Sequence, residues 1–160
     1  MNINIIDIEA SGLHFDSYPI EVAVLVNGKT KSWLIKPEPG WVYWCDIAES
    51  IHGITREMLH KEGLPAIQVA RELSAFMNET KEPLYSDAVR WDSDWVDTLY
   101  LAANDVRRFH MASIYKLLRG SQKFAFDEQI AILAESGKYR RHRAEEDVRM
   151  IHEAFNSLIH

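Results

Sequence analysis

Two acids stand two residues apart in an otherwise apolar run, Asp7 and Glu9 in Ile5-Ile6-Asp7-Ile8-Glu9-Ala10-Ser11-Gly12-Leu13. If the run is a strand, alternation puts both carboxylates on one face, about 6–7 Å apart. There they repel each other and lose hydration, so a cation must offset them unless the strand is an edge with a wet acidic face. A third acid, Asp147, lies one turn before Ile151 at the head of the apolar stripe Ile151, Ala154, Phe155, Leu158. Buried there, it costs on the order of several kcal/mol unless it is hydrogen-bonded, paired or bound to metal. As a helix-start acid it also gains from the helix dipole. His142 precedes it by five residues in the basic run Tyr139-Arg140-Arg141-His142-Arg143, so the two can share one cleft. In Trp91-Asp92-Ser93-Asp94-Trp95, acids sit between two large aromatics after a short strand. Asp92 is then a helix cap, or a carboxylate presented at the carboxyl edge of a sheet, where α/β proteins bind ligands. The two tryptophans read as core.

The strands and helices that carry these groups are legible in outline. Residues 2–9, 18–26 and 30–36 read as strands, the last two joined at Asn27-Gly28, a dipeptide suited to a type I′ turn. An antiparallel meander follows. Residues 37–53 read as a loop rich in aromatics (Trp41, Tyr43, Trp44), suited either to stacking bases or to packing and a partner surface. Thr55 caps a helix, and Pro65 opens another in which Ile67, Ala70, Leu73 and Phe76/Met77 recur at helical spacing. A short strand at 83–86 leads to a helix capped by Asp92 or Ser93. A strand at 108–111 precedes helices near 113–119 and 122–135, and a final helix covers 144–158. A meander followed by strands alternating with helices predicts one α/β domain over residues 1–160 with a mixed sheet.

Composition bounds the function classes. At 160 residues with 47% hydrophobic and 26% charged residues, the chain suits a single soluble domain. No apolar run approaches the roughly 20 residues of a membrane helix, no secretory signal is visible, and Cys45 is the only cysteine. A cytoplasmic protein without disulfides is the expectation. The net charge of −6 argues against indiscriminate coating of nucleic acid. Yet residues 107–143 hold nine Lys/Arg against three acids, so the acids that can hold metal and the bases that can meet phosphate are segregated along the chain.

Together these stretches resemble the DEDDh family of 3′→5′ exonucleases, relatives of the polymerase proofreading subunit, over nearly the whole chain. The family's D-x-E-T/A-x-G-L motif is matched from Asp7 to Leu13, its aromatic-Asp motif by Trp91-Asp92, and its H-x-A-x-x-D motif by His142 to Asp147. The segment Ile51-His52-Gly53-Ile54-Thr55 matches its I-H-G-I-T, and Tyr18-Pro19-Ile20-Glu21-Val22 fits its second strand. The resemblance implies a ribonuclease H-like α/β fold: a five-stranded mixed sheet, strands 1–3 antiparallel and the others parallel, flanked by helices. It implies that Asp7, Glu9, Asp92 and Asp147 hold two divalent cations, Mg²⁺ or Mn²⁺ given all-oxygen ligands. His142 is then the general base toward the attacking water, and Gly12, Leu13, His52 and Thr55 contact the terminal nucleotide. The implied reaction releases nucleoside 5′-monophosphates from the free 3′ end of single-stranded RNA or DNA. A homodimer, common among similar stand-alone exonucleases, is compatible with the aromatic loop.

One departure stands out. Where family members carry H-N-A-x-F-D, this chain has Asp87-Ala88-Val89-Arg90-Trp91-Asp92, which adds an acid and leaves Asp87 or Asp94 as alternative ligands to Asp92. Two other readings use the same residues. A haloacid-dehalogenase-type phosphatase would use Asp7 as nucleophile but needs a helical cap where this chain has a hairpin. A catalytically silent nucleic-acid-binding module on the same fold would bind its ligand without metal.

Overall fold

Side-chain alternation along β1 (Asn4–Ala10) divides the molecule in two. The computed structural model describes residues 2–159. Ile6 and Ile8 enter one core with Val22, Val24, Val26 and Trp33, covered by α3 (Ala66–Met77) and α4 (Val89–Ala102). Ile3 and Ile5 enter the opposite core with Ala23 and Leu25, covered by α5 (Ser121–Glu135) and α6 (Ala144–Asn156). Asp7 and Glu9 share the parity of Ile5 and so lie on the α6 side.

β2 (Pro19–Val26) is buried at every position because helices cover both its faces, whereas β3 (Lys29–Leu34) is an edge with exposed lysines. Asn27 and Gly28, at φ 51° and 79°, make the tight turn between them. β4 (Leu84–Ser86) and β5 (Met111–Ser113) complete a five-stranded sheet of order β3-β2-β1-β4-β5. β1–β2 and β2–β3 are antiparallel; β1–β4 and β4–β5 are parallel. The mixed sheet expected from the sequence is therefore present. The parallel pairs carry helical crossovers, which leave the start of α4 at the carboxyl end of β4, beside the carboxyl end of β1.

Three local readings change. Residues 37–53 are not all loop: α1 (Asp46–His52) has acids in its first turn and ends on Gly53 at φ 72°, a left-handed cap that glycine adopts without strain. Ile67 is 61% exposed, and the buried stripe of α3 is Ala66, Val69, Ala70, Leu73 and Met77, so the apolar spacing there gave the right helix with a slightly rotated inner face. The strand near 108–111 is shifted to Met111–Ser113, followed by a 3₁₀ turn at Ile114–Leu117. α2 (Arg56–Glu62) begins as expected, with Thr55 accepting a hydrogen bond from the Met58 N–H at 3.0 Å.

Candidate active site

Asp147 needs the packing of α6 to exist where it does. Val148, Ile151, Ala154 and Phe155 are buried against the sheet, the larger ones each contributing about 1.5–3 kcal/mol, and this holds Asp147 at 6% exposure in the first turn. Asp7 and Glu9 reach the same space from β1. Asp92 enters from the first turn of α4, 2% exposed, where its Oδ2 accepts from the Ser86 hydroxyl at 2.5 Å. The same Ser86 oxygen accepts from the Ala88 N–H at 2.9 Å, tying the end of β4 to the start of α4. α4 begins at Val89, so Asp92 lies inside the helix and is not its cap.

These groups meet in a cavity of about 320 Å³ that also reaches Leu13, Trp91 and Trp95. Ligand atoms of Glu9, His142 and Asp147 lie within 4.8 Å of one another, and so do those of Asp7, Asp87 and Asp92. Asp94 is exposed on the outer face of α4 and belongs to neither group. Asp7 Oδ2 and Asp147 Oδ1 are buried without a hydrogen-bond partner. Each such oxygen costs about 1–3 kcal/mol if nothing satisfies it.

The electrostatics follow from the crowding. Burial first, then Asp92, Glu9 and Asp147, push the Asp7 carboxyl well above the usual carboxylate range. Burial and then Asp147 push Glu9 to about 9. Burial lifts Asp92 to about 8 against the hydrogen bond from Ser86. Burial lifts Asp147 to about 6, with Arg141 opposing it from 3.8 Å. Such a cluster holds protons at neutral pH unless divalent cations replace them, and an all-carboxylate donor set suits hard cations of the Mg²⁺ and Mn²⁺ class.

His142 is held in an unusual backbone. Its φ is 62°, in the left-handed region that disfavours a histidine by about 1 kcal/mol or more. Its N–H donates to Asp147 Oδ2 at 3.0 Å, and the next residue, Arg143, is clamped to buried Glu21. Burial and then Arg141 lower the His142 imidazole below its ordinary 6.5, which leaves the ring neutral and able to accept a proton at pH 7.

A second cavity, about 380 Å³ and mostly apolar, adjoins the first through Glu9 and His142. Leu13, Ile47 and Ile51 line it although they are largely exposed. His52 closes it. Its Nδ1 accepts from the Ile54 N–H at 3.0 Å, so the hydrogen-bond network assigns its proton to Nε2, which is buried without an acceptor. Burial lowers His52 to about 4, which keeps the ring neutral. Gly12 is set by contact: a Cβ there would stand 2.7 Å from Tyr43 Cε1 and 2.9 Å from Cys45 Cβ.

Of the residues expected from the sequence, Asp7, Glu9, Asp92, His142, Asp147, Gly12, Leu13 and His52 line these two cavities. Thr55 lines neither and spends its hydroxyl on the cap of α2. Trp91 is 44% exposed at the rim and stacked on Trp95 at 5.7 Å, so it is not core. Glu21 was not among the site residues expected from the sequence. Its signal was an acid inside a fully apolar strand, directly across from Glu9 in the register. The aromatic loop mostly packs: Tyr43 stacks on His14 and Trp41 on Tyr18, while Arg56 lies over Trp44.

No family model and no curated protein matches the chain. Solved structures do. E. coli Exonuclease I in complex with a dT13 oligonucleotide superposes with a TM-score of 0.76 at 16% identity, over 98% of this chain and 40% of that one. The nuclease domain of 3′hExo, a DEDDh family member, bound to rAMP, gives 0.74 at 19% identity, over 98% and 90%. A moderately thermophilic Exonuclease I from Methylocaldum szegediense gives 0.69 at 17%, over 92% and 38%. The chain thus spans about two fifths of the Exonuclease I structures and nearly all of the 3′hExo nuclease domain. With its sheet order, its site at the carboxyl ends of β1 and β4, and these neighbours, the chain has the ribonuclease H-like fold of the DEDDh exonucleases.

Proposed function

We propose that this chain is a single-domain, metal-dependent 3′→5′ exonuclease that releases nucleoside 5′-monophosphates from the 3′ end of single-stranded nucleic acid. The observation that carries this reading is the convergence of Asp7, Glu9, Asp92 and Asp147 with a neutral histidine around buried carboxylate oxygens that have no hydrogen-bond partner. The ligands bound to the neighbours, an oligonucleotide on one and rAMP on the other, support a polynucleotide substrate and a mononucleotide product.

In this reading Asp7, Glu9, Asp92 and Asp147 hold two divalent cations, Mg²⁺ or Mn²⁺. Such cations supply charge stabilisation to the scissile phosphate and acidify the attacking water. The apolar cavity takes the terminal nucleoside: Leu13, Ile47 and Ile51 cover a base, and the His52 Nε2–H donates to one of its oxygens or to the sugar. His142 Nε2 or Nδ1 takes the proton of the attacking water, which its lowered basicity permits near neutral pH. Arg141, turned into the cleft, meets phosphate rather than base. Action in the cytoplasm belongs to the same proposal; among the described residues no helix is long and apolar enough to cross a membrane. So does a homodimer, which sedimentation of the purified chain checks.

The test uses matched 5′-labelled RNA and DNA oligomers with Mg²⁺, Mn²⁺ or chelator, beside the Asp7→Ala protein. A ladder shortening from the 3′ end, absent in chelator and in the variant, is the expected result and shows which sugar is preferred. Binding of the oligomers in chelator with no cleavage under any metal overturns the enzyme reading in favour of a silent binding module.

A further inference from the structure

The sequence posed Asp87 as a substitute for Asp92, and the geometry brings both into the cleft. We propose that Asp87 is a fifth carboxylate of the metal centre, joining Asp7 and Asp92 around one cation while Glu9 and Asp147 serve the other. The inference rests on the metal centre of the exonuclease reading but concerns a position at which this chain departs from the family motif.

The placement follows from strand register. β4 runs parallel to β1 with Tyr85 beside Ile5, so two residues further on Asp87 comes level with Asp7. Ligand atoms of Asp7, Asp87 and Asp92 then fall within 4.8 Å of one another, a spread that one cation spans with ligand distances of about 2.0–2.6 Å. Asp92 is 2% exposed, and the Asp7 oxygen that has no hydrogen-bond partner is buried in the same corner. Ser86 donates to Asp92 Oδ2 and accepts from the Ala88 N–H, so the turn that carries Asp87 is fixed from both sides. Arg141, the cation whose charge reaches Asp87, pairs with Asp147 at 3.8 Å and not with Asp87.

Charge gives the consequence. Five ionised carboxylates match two divalent cations and the Arg141 guanidinium in total charge, and four do not. The centre is therefore neutral before nucleic acid arrives, and its cations bind in the free protein without waiting for a phosphate to complete the site.

Mn²⁺ titration of the full chain without nucleic acid, followed by calorimetry and by the electron paramagnetic resonance of free Mn²⁺, tests this. Wild type is expected to bind two Mn²⁺ per chain. Asp87→Asn weakens one of them at least tenfold, while Asp94→Asn, outside both groups, titrates as wild type. Thermal melts in chelator check that Asp87→Asn is folded, and Asp87→Glu, which keeps a carboxylate, is expected to retain both sites. An Asp87→Asn protein that binds two Mn²⁺ within twofold of wild type overturns the inference, as does wild type binding only one. Neither readout needs cleavage: two sites in wild type reduced to one in Asp87→Asn, with a wild type that cleaves no oligomer under any metal, would overturn the exonuclease reading alone.

Discussion

Arg143 grips Glu21 across 122 residues of sequence. Its Nε lies 3.2 Å from both carboxylate oxygens, and its Nη2 lies 2.9 Å from Oε2. Oε1 also accepts from the Ala144 N–H at 2.8 Å, the first residue of α6. Glu21 stands opposite Glu9 on β2, so one clamp fixes the helix that delivers Asp147 and the left-handed residue His142 to the strand that delivers Glu9. The catalytic histidine of the proposed reaction is thus held by a pair of residues that touches no substrate.

Breaking that clamp has a cost that can be read directly. Glu21→Ala leaves a half-buried guanidinium and the α6 N–H without a partner, a change expected to remove about 3 kcal/mol of stability. Urea unfolding measures it. Under native conditions the variant should bind an oligomer in chelator nearly as wild type but cleave it at least tenfold more slowly, because His142 and Asp147 lose their register with β1. Equal cleavage would show that the clamp only stabilises the fold.

Metal removal should make the protein sensitive to alkali. Glu9 and Asp92 are raised to about 9 and about 8, so the folded chain holds protons that the unfolded chain releases near pH 4. That stability is fully present below about pH 4 and is lost progressively as pH rises, until the loss is complete once the folded acids ionise at about 8 to 9. His52, lowered to about 4, acts the other way, but only below the ordinary histidine value of 6.5. Between pH 7 and 9 the acids act alone. In chelator the melting temperature should therefore fall across this window, by roughly 2–4 °C for each kcal/mol lost. Saturating Mg²⁺ should flatten or abolish the fall, since cations take the place of the protons.

His142 should titrate in the rate. With its imidazole below 6.5, kcat/KM is expected to drop on the acid side as the ring protonates, with the midpoint below that value. His142→Ala should lower kcat by about 10²–10⁴-fold and remove that acid limb, with Mn²⁺ binding retained. His142→Gly should be the more stable of the two, because glycine accepts φ 62° freely. An unchanged acid limb in His142→Ala would assign the base elsewhere.

Gly12 should tolerate nothing larger. A methyl group placed 2.7 Å from the Tyr43 ring and 2.9 Å from Cys45 Cβ must push one of them aside, at a cost of about 1–3 kcal/mol. Because Gly12 and Cys45 both line the apolar cavity, Gly12→Ala is expected to raise KM for oligomers more than it lowers kcat. Steady-state kinetics on one short oligomer separates the two effects.

How much of this was legible beforehand differs by element. β1, the hairpin at Asn27-Gly28, and α6 were readable because alternation, a turn dipeptide and an apolar stripe are local patterns, and the acids that interrupt them were visible for the same reason. α1 was missed because aromatics dominate its flank, although Gly53 marked its end. Trp91 was misplaced because the size of a side chain does not say which side of a helix faces a cleft.

Local patterning along the chain sets which side chains carry charge, which faces of β1 and α6 are apolar, and that Asp7, Glu9 and Asp147 must find a partner wherever they are buried. Who those partners are depends on long-range packing. Parallel pairing of β4 with β1 brought Asp87 level with Asp7, and antiparallel pairing of β2 with β1 set Glu21 opposite Glu9 within reach of Arg143. Register and helix crossing are settled by the sum of many apolar contacts far apart in the chain, while each carboxylate only adds a cost that this arrangement must meet.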